Sequence, residues 1–96
     1  MIKNISIEEF IKIASSVSII DIRIIENYNN GHIDGAKNIP FNQLIISPEK
    51  YLQKNKTYYI YCSKGTKSIK ACQILARQGY LVYNILGGYE AWIMAK

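Results

Sequence analysis

Apolar positions along the chain follow two periods, and the changes from one to the other outline its elements. Ile7, Phe10, Ile11 and Ala14 recur at the spacing of one helix face. Ser6 and Glu9 have the form of a capping box, and Ile5 and Phe10 can close a hydrophobic staple, so a helix is predicted over 5–14. Ser18–Ile22 reads as a short buried strand, followed by a helical turn around Tyr28. A further short strand is predicted over Ala36–Ile39, closed by Pro40. The pattern is weak from Phe41 to Asn55, where Pro48 can start a short helix through Leu52 and Lys54-Asn55-Lys56 reads as a turn. Tyr58–Tyr61 has no polar face, which marks a strand buried on both sides. After Cys62 and a glycine-containing loop, Ser63–Ser68, a helix is predicted with Ile69, Cys72, Leu75 and Ala76 inward. Lys70, Gln73 and Arg77 form its polar stripe, and Gly79 takes the C′ position. Leu81–Ile85 is the last strand, and Leu86–Trp92 opens a final helix with Trp92 as core anchor.

Strands alternating with helices at these intervals predict an α/β fold. The expected form is a small three-layer domain, with a central, mostly parallel sheet flanked by helices on both faces. The length suits a single domain over 1–96. In such sheets reactive groups gather at the carboxyl ends of the strands, where Cys62 and Asp21 fall.

Charge and cysteine content narrow the picture. The net charge is +5, but the lysines are scattered and no arginine-rich or aromatic-interleaved run occurs. A solvated basic surface is expected, without a nucleic-acid partner. Two cysteines and one histidine are too few soft ligands for zinc, so no metal site is expected. The N-terminal run MIKNISIEEF lacks an apolar signal core, and no stretch is long enough to cross a bilayer. The expectation is a soluble cytoplasmic protein with reduced thiols and no membrane association.

The chemistry concentrates after the central strand. A cysteine at a strand end, a short glycine loop and a helix N-terminus can converge backbone N–H groups on one point, with partial positive charge from the helix. Lys64 and Lys67 add full charges. Such a setting stabilises a thiolate and can hold an anionic substrate against it. Cys72, on the apolar face of its helix, is expected to be a buried hydrophobe. Asp21 on its strand needs a partner, and Arg23 or nearby N–H groups can supply one. His32 and the Gly87-Gly88 pair are read as structural.

Tyr61-Cys62-Ser63-Lys64-Gly65-Thr66-Lys67-Ser68 resembles the active-site loop of the rhodanese-like sulfurtransferases, Cys-x-x-Gly-x-Arg-Ser, with Lys67 where arginine is usual. Asp21-Ile22-Arg23, Tyr28, Gly31-His32-Ile33, Gly35-Ala36 and Asn38-Ile39-Pro40 are similar to the first signature of that family. Asn27 stands where it commonly has glutamate. The Gly-Gly-aromatic-x-Ala-Trp ending resembles the C-terminal signature. The resemblance implies a Cys62 persulfide, formed from thiosulfate or another persulfide donor and passed to a thiol or cyanide acceptor, or to a protein acceptor. It implies that Ser63, Lys64, Gly65, Thr66, Lys67 and Ser68 bind substrate, that Asp21 and Arg23 support the loop, and that no metal or organic cofactor is needed. Two alternatives stand beside this reading. One is a sulfur-relay or regulatory binding module; the other is a phosphatase or arsenate reductase of the related type. The loop of that type has five positions between cysteine and arginine, whereas four separate Cys62 from Lys67.

Overall fold

The computed structural model describes residues 2–96, so Met1, the first residue of the expected 1–96 span, lies outside it. The strands are β1 (Lys3–Ile5), β2 (Ser18–Asp21), β3 (Lys37–Asn38), β4 (Thr57–Tyr61) and β5 (Leu81–Ile85). They form one parallel sheet in the order β1-β5-β4-β2-β3. Helices α1 (Ile7–Ile13), α2 (Ile25–Asn30), α3 (Phe41–Ile46), α4 (Thr66–Arg77) and α5 (Gly88–Ala95) surround it. The α/β architecture with helices on both faces is as expected. β4 lies in the middle because its tyrosines and isoleucine can fill both faces at once.

Alternation along the strands divides the core in two. Ile20, Ile60 and Val82 point toward the layer of α3 and α4, where they meet Leu44, Ala71, Cys72 and Leu75. Ile19, Tyr61 and Ile85 point the other way, onto Ile7 and Phe10 of α1 and Trp92 of α5. Because the period is two, Cys62 shares a face with Ile60, and Asp21 shares the opposite face with Tyr61.

Several sequence expectations shift. β1 was not expected: Lys3-Asn4-Ile5 has no strand pattern of its own and is held by pairing with Tyr83–Ile85. The first helix therefore begins at Ile7, with the Ser6 hydroxyl oxygen accepting from the Glu9 N–H at 3.1 Å; the Glu9 carboxylate turns instead to Lys12. Helix α3 also emerges from the weakly patterned stretch. Ile11 and Ile69, assigned to inward faces, are 42% and 36% exposed. In α4 the buried set is Ser68, Ala71, Cys72 and Leu75, a regular i, i+3, i+4, i+7 stripe that excludes Ile69. The expected loop Ser63–Ser68 is shorter than read, since Thr66, Lys67 and Ser68 form the first turn of α4. At the other end of α4 the expectation holds. Gly79 and Tyr80 donate N–H bonds to the carbonyls of Ala76 and Leu75, the pairing of a Schellman cap.

At the carboxyl end of β2 sits a buried ion pair. Asp21 is fully buried, and its carboxylate accepts from Arg23 Nη2 at 2.7 Å, from Arg23 Nε at 3.1 Å and from the Tyr61 hydroxyl at 2.6 Å. Burial works against the Arg23 charge, but the bonds and attraction from Asp21 prevail and hold the guanidinium firmly protonated. Burial and the bond to Asp21 push the Tyr61 phenol up, so it acts as a neutral donor. Replacing Arg23 by leucine would leave Asp21 buried without its cation. The expected loss in a urea unfolding experiment is about 3–5 kcal/mol.

Candidate active site

Cys62 follows directly on β4 and is 6% exposed. Its Sγ accepts N–H bonds from Gly65 at 3.1 Å and Ser68 at 3.4 Å, because the chain turns at Gly65 and enters α4 with its first amides facing back toward the sulfur. The Ser68 Oγ is 3.4 Å from Sγ; it accepts the S–H while Cys62 is a thiol and can donate its own proton once the sulfur is ionised. Burial raises the Cys62 thiol, yet hydrogen bonds from the Ser68 hydroxyl and from the Ser68, Gly65 and Lys67 amides outweigh it, so the thiol lies below its ordinary value. Cys72 shows the contrast. It is fully buried in the α4 layer, and burial, with the nearby Cys62, pushes its thiol up to about 12.

The loop is braced from behind by α5. The Cys62 carbonyl accepts from the Tyr89 N–H at 2.8 Å, and the Ser63 carbonyl from the Glu90 N–H at 3.0 Å. These are free amides of a helix N-terminus, and they commit two loop carbonyls to α5 while the Gly65 and Ser68 amides face Sγ. The approach is close enough that a Cβ on Gly88, whose φ is +59°, would run into the Cys62 carbonyl oxygen. The Gly87-Gly88 pair is thus a packing device for the loop. Sequence reading identified packing there but not its object.

A groove of about 450 Å³ opens over Cys62. One wall is largely apolar, with Ile22, Ile24, Pro40 and Phe41 beside Arg23, Asn27 and Asn42; the other carries Ser63, Lys64, Thr66 and Lys67. No carboxylate lines it. Phe41 is set in place by its N–H bond to the Ile22 carbonyl, and Lys67 Nζ lies 5.5 Å from its ring centroid. Both lysines are at the rim, and neither side chain bonds the sulfur. Gly65 and Ser68 are buried behind it.

The two acidic-basic partners separate in role. Arg23 reaches the groove, whereas Asp21 lies on the other face of the sheet and acts through Arg23 and Tyr61. Tyr89 packs its ring 4.3 Å from the Arg23 guanidinium, and Asn38 Nδ2 bonds the carbonyls of both Asp21 and Arg23. His32 stays outside the groove. Its Nδ1 lies 2.9 Å from the Tyr28 carbonyl oxygen and its ring stacks on Tyr28 at 3.8 Å. Among the described residues, no cluster of His, Cys, Asp and Glu is suited to a metal ion. Sequence reading missed Asn84, Tyr61, Phe41 and the α5 amides. Only Asn84 carried a signal: a polar residue in the buried run Leu81–Ile85.

Two outcomes follow from this geometry. Alkylation of Cys62 by iodoacetamide, followed by peptide mass, reaches half its plateau at a lower pH than a free cysteine, since thiolate is present once pH exceeds the lowered value; Cys72 stays unmodified in the folded protein. Gly88→Ala displaces the loop, slowing Cys62 alkylation at neutral pH about tenfold. It also costs about 1–3 kcal/mol, from the left-handed backbone and the collision together.

Comparisons with known proteins identify the family. The rhodanese-like domain model matches residues 6–95. A thiosulfate sulfurtransferase, GlpE, of Shewanella oneidensis is 36% identical over 93 residues, covering 94% of this chain and 91% of the relative. An uncharacterized Bacillus subtilis protein, YqhL, is 33% identical over 93 residues, covering 96% and 73%. The crystal structure of a rhodanese-like domain protein from Staphylococcus aureus superimposes with a TM-score of 0.86 at 33% identity, covering 95% of this chain and 91% of that one. On this match and these relatives, the chain belongs to the rhodanese-like domain family.

Proposed function

We propose that this protein is a sulfurtransferase, acting as one rhodanese-like domain through a persulfide on Cys62. The observation that carries the reading is the sulfur of Cys62 at the floor of an acid-free groove, facing two inward amides and with its thiol below the ordinary value. The thiolate attacks the outer sulfur of thiosulfate or of another sulfane donor. The donor's S–S bond breaks, and sulfite, or the donor's thiolate, departs with the electron pair. The Gly65 and Ser68 amides and the two rim lysines then face the negative charge of the terminal sulfur. An acceptor, cyanide or a thiol, attacks that sulfur and returns Cys62 as thiolate. No metal or organic cofactor enters these steps.

The groove is larger than thiosulfate needs, and its apolar wall leaves room for the body of an organic persulfide or for a side chain of a protein acceptor. A relay to a partner protein is therefore part of the same reading. The four-residue spacing from Cys62 to Lys67 supports sulfur over phosphate chemistry. The cytoplasm, where thiols stay reduced, is the proposed setting; no helix among the described residues is long and apolar enough to cross a membrane.

Initial rates of sulfur transfer, with donor and acceptor both varied, test the reading. Parallel double-reciprocal lines are expected from the two half-reactions, and Cys62→Ser should abolish turnover while remaining folded. Lys67→Arg should keep or raise kcat/KM for thiosulfate, because the guanidinium restores planar two-point recognition; Lys67→Ala should lower it about tenfold. Residual turnover in Cys62→Ser above a few per cent would defeat the assignment.

A further inference from the structure

Behind Cys62 runs a buried polar chain that the proposed chemistry does not use. The Ser68 hydroxyl is 2.6 Å from Asn84 Oδ1, and Asn84 Nδ2 is 3.0 Å from Asn4 Oδ1. Ser68 and Asn84 are fully buried. Asn84 comes from β5 and Asn4 from the edge strand β1, at paired register positions. Neither belongs to the loop.

A hydroxyl has one proton to donate. The Ser68 Oγ has three neighbours: Asn84 Oδ1 at 2.6 Å, the Gly65 carbonyl at 3.3 Å and Cys62 Sγ at 3.4 Å. The short contact to Asn84 takes the proton, and the Ser68 lone pairs then face the sulfur and receive the Cys62 S–H. When Cys62 ionises, the Ser68 proton has to turn from Asn84 to Sγ, leaving a buried amide oxygen without its donor. Asn4 fixes the sense of this arrangement. By accepting from Asn84 Nδ2 it keeps Oδ1, not the amino group, toward Ser68.

We propose that Asn84, oriented by Asn4, is a positioning residue that restrains ionisation of Cys62 by competing with the thiolate for the Ser68 hydroxyl proton. The Gly65 and Ser68 amides stabilise the thiolate, and Asn84 sets how far they succeed. The other charged and titratable groups around Cys62 are Arg23 after β2, Lys64 in the loop, and Lys67 and the Cys72 thiol on α4. Helix α3 offers only the uncharged Phe41 and Asn42 to the groove, and α5 offers backbone amides, with its Glu90 side chain exposed. Substitution at Asn84 or Asn4 leaves all of these in place. The restraint bears on sulfur transfer only through the Cys62 nucleophile proposed above, but alkylation reads the thiol's ionisation whether or not sulfur moves, so the two readings fail separately.

The test is the pH dependence of Cys62 alkylation by iodoacetamide in four folded proteins: the parent, Asn84→Ala, Asn84→Asp and Asn4→Ala. Asn84→Ala frees the Ser68 proton for the thiolate, and the midpoint should fall by about one pH unit, the size of one hydrogen bond. Asn84→Asp keeps the acceptor and adds negative charge, so the midpoint should rise by about one pH unit or more. Asn4→Ala lies on an exposed edge strand and serves even if the buried variants fold poorly; by letting the Asn84 amide turn over it should lower the midpoint in the same direction as Asn84→Ala. A role in packing alone would change thermal stability without opposite shifts for alanine and aspartate. A midpoint that stays put or rises in Asn4→Ala, or in a folded Asn84→Ala, overturns the proposal.

Discussion

The structure depends on how a sulfur atom is met by backbone N–H groups at the junction of β4 and α4. A strand delivers Cys62 to the sheet's carboxyl edge, a glycine turns the chain, and the first amides of α4 have no carbonyl partners within the helix. They take the Cys62 sulfur instead. Burial alone would raise the thiol, as it does at Cys72; the Ser68 hydroxyl and the amides together reverse the sign at Cys62. Both cysteines lie in the same core layer, but Cys62 opens onto the groove and has these hydrogen bonds, whereas Cys72 is fully buried.

Holding that junction requires support from two other strand ends. Helix α5, entered from β5 through Gly87, donates its own free amides to the loop carbonyls, which keeps the loop from turning its amides outward. From the β2 side, the Asp21–Arg23 pair carries Arg23 to the groove while anchoring Tyr61 beneath the loop. A buried pair is a weak source of net stability. Its more useful consequence here is placement: the Asp21 carboxylate, the Gly31 carbonyl and the Tyr89 ring together fix where the guanidinium stands. The groove that results is basic at its rim, apolar along one wall and free of carboxylates.

Much of this was legible in the sequence because it rests on local pattern. The unbroken apolar face of Tyr58–Tyr61 marked the central strand, and cysteine, glycine and lysines in one loop marked the site. The Schellman cap at Gly79 and the partner of Asp21 could be read from adjacent residues. What escaped depends on contacts distant in the chain. Strand β1 exists only through pairing with β5, and α3 lies in a stretch without clear periodicity. Asn84 is 16 residues from Ser68, and the Gly88 brace acts on carbonyls more than 20 residues earlier. Ile69 was misplaced because a bulky apolar residue outweighed the cleaner stripe formed by the small Ser68 and Ala71. Small buried residues on a helix mark its inward face as firmly as large ones do.

The central claim is that Cys62 carries the transferred sulfur. Intact mass of the reduced protein after incubation with thiosulfate, or with a small persulfide donor, tests it most directly, with Cys62→Ser and Cys72→Ser run alongside. The account predicts a gain of one sulfur atom in the parent and in Cys72→Ser, reversed by a thiol wash and absent from Cys62→Ser. No gain with either donor, or a gain that survives in Cys62→Ser, would contradict it.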